Sequence, residues 1–172
     1  MRKLVRLSIV CFIFALMFGG NAIAQKLAFV DSERIFMSYT EWVRAQEQFA
    51  ADMKEWDDEA AQMQTELQDM YTEYEKQKLI LSADKKAERE AAIVAKEQLL
   101  QAFTRDVSAP GGRAERRQNE LAQPLLEKIT ASIEKVAIEE NIDFVFNSGG
   151  LSYGKKELDI TDKVLEILEE GE

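Results

Sequence analysis

The sequence predicts an α+β protein: a small strand-bearing body from which a long antiparallel coiled-coil helical hairpin projects. Three observations predict it. Residues 41–81 pass without a single Gly or Pro, and their large apolar side chains recur at coiled-coil spacing. Strand-like runs occur only near the two ends of the chain, around 27–30 and 143–153. A compact turn signal, Leu79-Ile80-Leu81-Ser82-Ala83-Asp84, separates the long helix from a second helical stretch that can return beside it.

Residues 1–24 read as a leader rather than as part of the fold. Arg2, Lys3 and Arg6 form a basic head, an apolar run follows over 7–18, and Ala22-Ile23-Ala24 supplies a small-x-small cleavage site. The apolar run is short for a bilayer span, which favours a removed secretory signal. Cys11, the single cysteine, lies inside that run, so disulfides and thiolate ligands are excluded from residues 25–172. The 22 basic residues lose three with the leader, leaving 19 against 32 acidic ones, a formal charge of −13. That balance disfavours nucleic acid, which needs a net basic face.

Lys26-Leu27-Ala28-Phe29-Val30-Asp31 predicts a strand over 27–30, closed by Asp31 as the cap of a short helix over 32–38. That helix turns Ile35 and Phe36 toward a core, and Thr40 is expected to cap the long helix. From Phe49 the apolar steps run 4, 3, 4, 3, 4, 3, 4. They place Phe49, Trp56, Met63 and Met70 at d, and Met53, Ala60, Leu67, Tyr74 and Leu81 at a. At about 1.5 Å per residue the helix is roughly 60 Å long, so it requires a partner along its length.

At the turn, Ser82 or Asp84 can cap a new helix. Leu79, Ile80 and Leu81 either close the end of the hairpin or stay exposed at its tip, where an apolar patch implies contact with another chain. The return helix over 84–107 is expected to face its partner with Ala87, Ala91, Ala95, Leu99 and Phe103, small residues opposite large ones. Ala109-Pro110-Gly111-Gly112 must break it. The break is either a loop absorbing a length mismatch or a hinge that lets the arm splay.

Helix resumes near Arg113 and runs to about residue 140, with Pro124 bending it at most. Its apolar face widens from Leu121 onward, which marks its entry into a denser body. Asp143-Phe144-Val145-Phe146-Asn147 reads as a buried strand, Ser148-Gly149-Gly150 as a hairpin loop and Leu151-Ser152-Tyr153 as the strand coming back. A short extended piece is expected over 158–160, then an amphipathic helix capped by Thr161. Residues 25–40 and 121–172 thus form the body, and 41–120 the arm, with its tip near 79–84. So few short strands are marginal alone, and self-association through them is the expected remedy. Leu27, Phe29, Val30, Phe144, Val145, Phe146, Leu151 and Tyr153 are the candidate association residues.

Catalysis is disfavoured by inventory. The chain has no histidine, no Gly-x-Ser-x-Gly elbow and no phosphate-binding Gly-rich loop, and nothing calls for a cofactor. Asp57-Asp58-Glu59 fans around a helix, so it reads as a solvated acidic face and not as a metal site. The aromatic and methionine seam is the more informative feature. Coiled-coil filling accounts for most of it, yet Trp packs poorly where a tight seam prefers Leu, and Met suits surfaces that accept many shapes. Phe49, Met53, Trp56, Met63, Met70, Tyr71, Tyr74, Leu79, Ile80 and Leu81 are therefore the candidate residues for gripping apolar segments.

Leu27-Ala28-Phe29-Val30-Asp31, Ile35-Phe36 and the run from Gln123-Pro124-Leu125-Leu126 to Ile129 resemble the Skp/OmpH family of periplasmic chaperones. Val136-Ala137, Asp143-Phe144-Val145-Phe146, Leu151-Ser152-Tyr153 and Asp159-Ile160-Thr161-Asp162-Lys163-Val164 extend the likeness in order to the end of the chain. The resemblance implies a homotrimer with a small β-barrel body and three helical tentacles around a cavity. It implies ATP-independent holding of unfolded outer-membrane proteins in the periplasm, without enzymatic activity. A structural trimeric spacer that binds a folded envelope partner is the alternative. The chain departs from the best-known members in being strongly acidic, which argues against attraction to anionic lipid.

Overall fold

The computed structural model describes residues 25–170; the leader predicted over 1–24 lies outside them. Strand β1 (Leu27–Val30) leads through Asp31 into α1 (Ser32–Ser38). The Asp31 carboxylate accepts the amide of Arg34 at 3.0 Å, satisfying one of the free donors of the first turn. Tyr39 alone separates α1 from α2 (Thr40–Gln77). It ends the first helix by donating its amide to the Ile35 carbonyl and starts the second by offering its own carbonyl to Val43. The predicted Thr40 cap is displaced by one position: Thr40 is already helical, and the Tyr39 side chain is 1% exposed in the core.

At 38 residues, α2 is about 57 Å long. It reverses at 78–82, where Ser82 caps α3 (Ala83–Ser108) by accepting the amide of Lys85. After the break, α4 (Arg113–Glu139) runs back along the base of α2 into the body, and Pro124 lies inside it without ending it. Asn141, with φ of 54°, turns the chain out of α4 into β2 (Phe144–Asn147). Short 3₁₀ turns at Ser148–Gly150 and Lys156–Leu158 precede α5 (Thr161–Glu170).

β1 and β2 pair in parallel, with Leu27 opposite Phe144 and Phe29 opposite Phe146. Parallel strands require a long crossover, and here the whole arm is that crossover. The other edge of β1 is covered by a bridge from Phe29 to Asp159, and Ile160 donates to the Phe29 carbonyl at 3.0 Å. No strand forms at 151–153, contrary to the predicted hairpin. The 3₁₀ turn carries the chain off β2, and the following segment crosses β1 so closely that a Cβ on Gly154 would sit 2.5 Å from the Phe29 ring.

The core lies where β1, α1, α4 and α5 meet, built on Val30, Ile35, Tyr39, Ile129, Val136 and Val164. Thr161 is wholly buried there. Its hydroxyl accepts the Asp31 amide at 2.8 Å, and both its amide and hydroxyl donate to the Asp159 carboxylate. The predicted role of Thr161 as a cap therefore passes to Asp159, and Thr161 instead ties the two ends of the chain together.

Arm and body are joined at Glu41. Its carboxylate accepts from Lys128 Nζ at 2.5 Å and from the Tyr39 hydroxyl at 2.6 Å. The Lys128 bond, then the Tyr39 bond, hold the carboxyl below its ordinary 4.5. A carboxyl depressed in the folded chain stabilises it above the unfolded value, and that contribution disappears as pH falls through the folded one. Acidification below about pH 4.5 is expected to loosen this joint. Glu41→Gln should remove that part of the pH dependence of Trp42 fluorescence, Trp42 being stacked on Phe36 beside the joint.

Candidate functional site

The heptad predicted for the outgoing helix is the one observed. Phe49, Met53, Trp56, Ala60, Met63, Met70, Tyr74 and Leu81 are half-buried and Leu67 is buried, while their neighbours on α2 are predominantly exposed. The return face is different from the prediction. Ala87, Ala91, Ala95 and Leu99 point outward; of the predicted face only Phe103 packs, in a seam with Ile93, Lys96, Leu100 and Val107. The reason is geometric. Steps of four drift by about 40° per step around a helix of 3.6 residues per turn, whereas alternating threes and fours keep to one side. The seam that packs is the alternating one.

This exchange changes which residues are available to another molecule. Phe49, Met53, Trp56 and Met63 serve mainly to hold the arm together. Tyr71 and Tyr74 span the seam, donating their hydroxyls to Glu97 and Glu90, and these bonds raise both phenol pKa values. Beside them a groove of about 450 Å³ runs between α2 and α3, reaching Met70, Tyr74 and Ile93 between the charged side chains of Glu73, Lys76 and Arg89. At the tip the two readings of the aliphatic triplet divide. Leu81 is half-buried and closes the hairpin, while Leu79 and Ile80 are 89% and 85% exposed.

The outward face of α3, missed from the sequence, adds Val94 and Leu99, both largely exposed. The signal was present in the alanine spacing, assigned there to the wrong side. Charge is also unevenly spread. Near the tip Lys76, Lys78, Lys85, Lys86 and Arg89 are matched one for one by Glu73, Glu75, Asp84, Glu88 and Glu90, so this end is balanced in a chain that is acidic as a whole.

The sheet carries the second exposed apolar surface. Ala28, Val30 and Val145 point to the core, which places Val30 inside the protomer and not on its surface. The pairing register puts Leu27, Phe29, Phe144 and Phe146 together on the opposite face. Gly154 covers Phe29 in part, whereas Leu27, Phe144 and Phe146 remain 43%, 51% and 47% exposed. The fully buried strand predicted at Phe144-Val145-Phe146 is thus half-covered within one chain. Leu151 and Tyr153 are exposed beside it.

A small body with an uncovered apolar sheet face thus carries a long arm of paired helices. The family model "Outer membrane protein (OmpH-like)" matches residues 26–168, and the chain belongs to that family. The chain is similar to Chaperone protein Skp of Vibrio cholerae serotype O1, at 24% identity over 98% of both chains. Its fold is similar to that of an OmpH-like protein from Caulobacter crescentus CB15, with a TM-score of 0.77, 14% identity and 88% of each chain covered. Proteins of this family are chaperones and not enzymes.

Proposed function

We propose that the chain is an ATP-independent holdase of the periplasm that, as a homotrimer, encloses unfolded outer-membrane β-barrel proteins between its arms. The observation that carries the reading is how its exposed apolar side chains are distributed. Leu79, Ile80, Val94 and Leu99 are spread along one slender arm and not gathered in an enclosed pocket. A surface of this kind offers many weak, sequence-tolerant contacts, and copies of it around one cavity raise the effective concentration of each. The face formed by Leu27, Phe144 and Phe146 supports assembly, because three large apolar side chains beside an open strand edge invite pairing with another copy. The exposed aliphatics and the Met70–Tyr74 groove are the client contacts; the remaining seam residues position them.

The test is light scattering from a urea-diluted β-barrel protein. Suppression near one trimer per client supports the holdase, and unchanged scattering supports a structural spacer that binds a folded partner. Leu79→Ser with Ile80→Ser is expected to weaken client capture by about tenfold, or about 1.4 kcal/mol, with helicity unchanged because neither side chain packs within the protomer. Undiminished capture would remove the tip from the contact surface.

A further inference from the structure

We propose that the corner at 109–112 is a latched elbow, in which arginines at the start of α4 lock a point where the arm is otherwise one helix thick. A pair of packed helices resists bending because one must stretch while the other compresses. Where one of them is interrupted, only its partner carries the load. Here α2 continues unbroken from Thr40 to Gln77, while its partner stops at Ser108 and restarts at Arg113. Opposite the break the arm should be its softest.

The side chains at the break counteract that weakness. The Arg113 guanidinium lies 5.8 Å from the ring centre of Trp56 on α2 and 5.3 Å from that of Phe103 on α3. It also donates to the Asp106 carboxylate at 2.8 and 3.1 Å. Arg116 reaches the same carboxylate at 3.3 Å and the Gly111 carbonyl at 2.7 Å. Arg117 donates to Asp52 of α2 at 2.6 Å. Three arginines within one and a half turns therefore bind three helices to one another.

The backbone is held as firmly. Gly111 takes a φ of 70°, and its amide donates to Glu115 at 2.7 Å. A Cβ at Gly112 would lie 2.6 Å from the carbonyl oxygens of both Asp106 and Ala109. A loop that only absorbed surplus length would not need this set of ties. The elbow has the parts of a hinge and the fastenings of a lock. Its release leaves α2 as a single-helix flexure about which the outer arm moves as one piece. That this would widen the mouth of a client cavity rests on the holdase reading; the elbow itself does not.

Electron–electron distance measurements on the full chain test it. Cys11 is replaced by serine, Ala83→Cys and Glu139→Cys carry spin labels, and labelled chain is diluted into unlabelled chain without any client. The unaltered elbow should give a narrow distance distribution. Arg113→Ala should broaden it with a tail to shorter distances, and Arg113→Lys, which keeps a charge for Asp106 but no flat face between the rings, should fall between. If Arg113→Ala loses helicity, Asp106→Asn with Arg117→Gln replaces it and should broaden the distribution likewise. A distribution already broad with the elbow intact, or one unmoved by the helical variants, overturns the proposal. Because no client is present, such a failure is separate from a failure to suppress aggregation.

Discussion

Phe144→Asp combined with Phe146→Asp is expected to convert the proposed trimer into single chains. Both residues sit on the sheet face that the protomer leaves open, so aspartate there remains hydrated in an isolated chain. In an assembly the same carboxylates would be drawn together and stripped of water, at a cost of several kcal/mol per buried ion. The backbone pairing of β1 with β2 does not involve these side chains and should persist. Sedimentation velocity should report a fall to the mass of one chain, with far-ultraviolet dichroism showing the arm still helical. An unchanged sedimentation coefficient would show that copies do not meet through this face.

Ile35→Ala is expected to lower the stability of the body by about 2–5 kcal/mol, the range for deleting a buried aliphatic side chain and leaving a cavity. Ile35 is 1% exposed in the densest part of the core, among Tyr39 and Val164. Leu79→Ala removes a similar volume from a side chain that is 89% exposed, and it should change stability by less than about 0.5 kcal/mol. Urea unfolding of the two variants at equal protein concentration separates the cases. Comparable losses would mean that Leu79 is buried by something beyond its own chain.

The arm was legible because a long uninterrupted heptad has one solution: eight apolar positions from Phe49 to Tyr74 repeat without a conflicting signal. Boundaries set by punctuation were legible too, since Asp31, Ser82 and the Pro110-Gly111-Gly112 break act through local backbone chemistry. The return helix was misread because alanine is neutral evidence. Ala87, Ala91 and Ala95 fit against a seam as well as they fit in water, and Ile93, Leu100, Phe103 and Val107 mark the side that packs. Leu151-Ser152-Tyr153 alternates as a strand should, yet alternation cannot reveal the absence of a neighbour to pair with. The arginine elbow left no pattern at all. Its partners come from two other helices, Asp52 and Trp56 from α2 and Asp106 from α3, and only the folded arm brings them to Arg113 and Arg117. The candidate surface was found in part for the same reason: composition identified apolar residues, and packing decided which of them face outward.

The tie between Asp31 and Thr161 spans 130 positions, and a contact of that separation is slow to close in folding. Helical pairing between α2 and α3 needs only contacts close in sequence, so it can form early and draw the distant ends toward each other. β1 lies a whole arm ahead of its sheet partner β2 and of the final helix, so its backbone and its apolar side are met only when those distant segments arrive. Until then the strand is itself an exposed, aggregation-prone segment, so the chain passes through a stage in which it resembles the clients proposed for it.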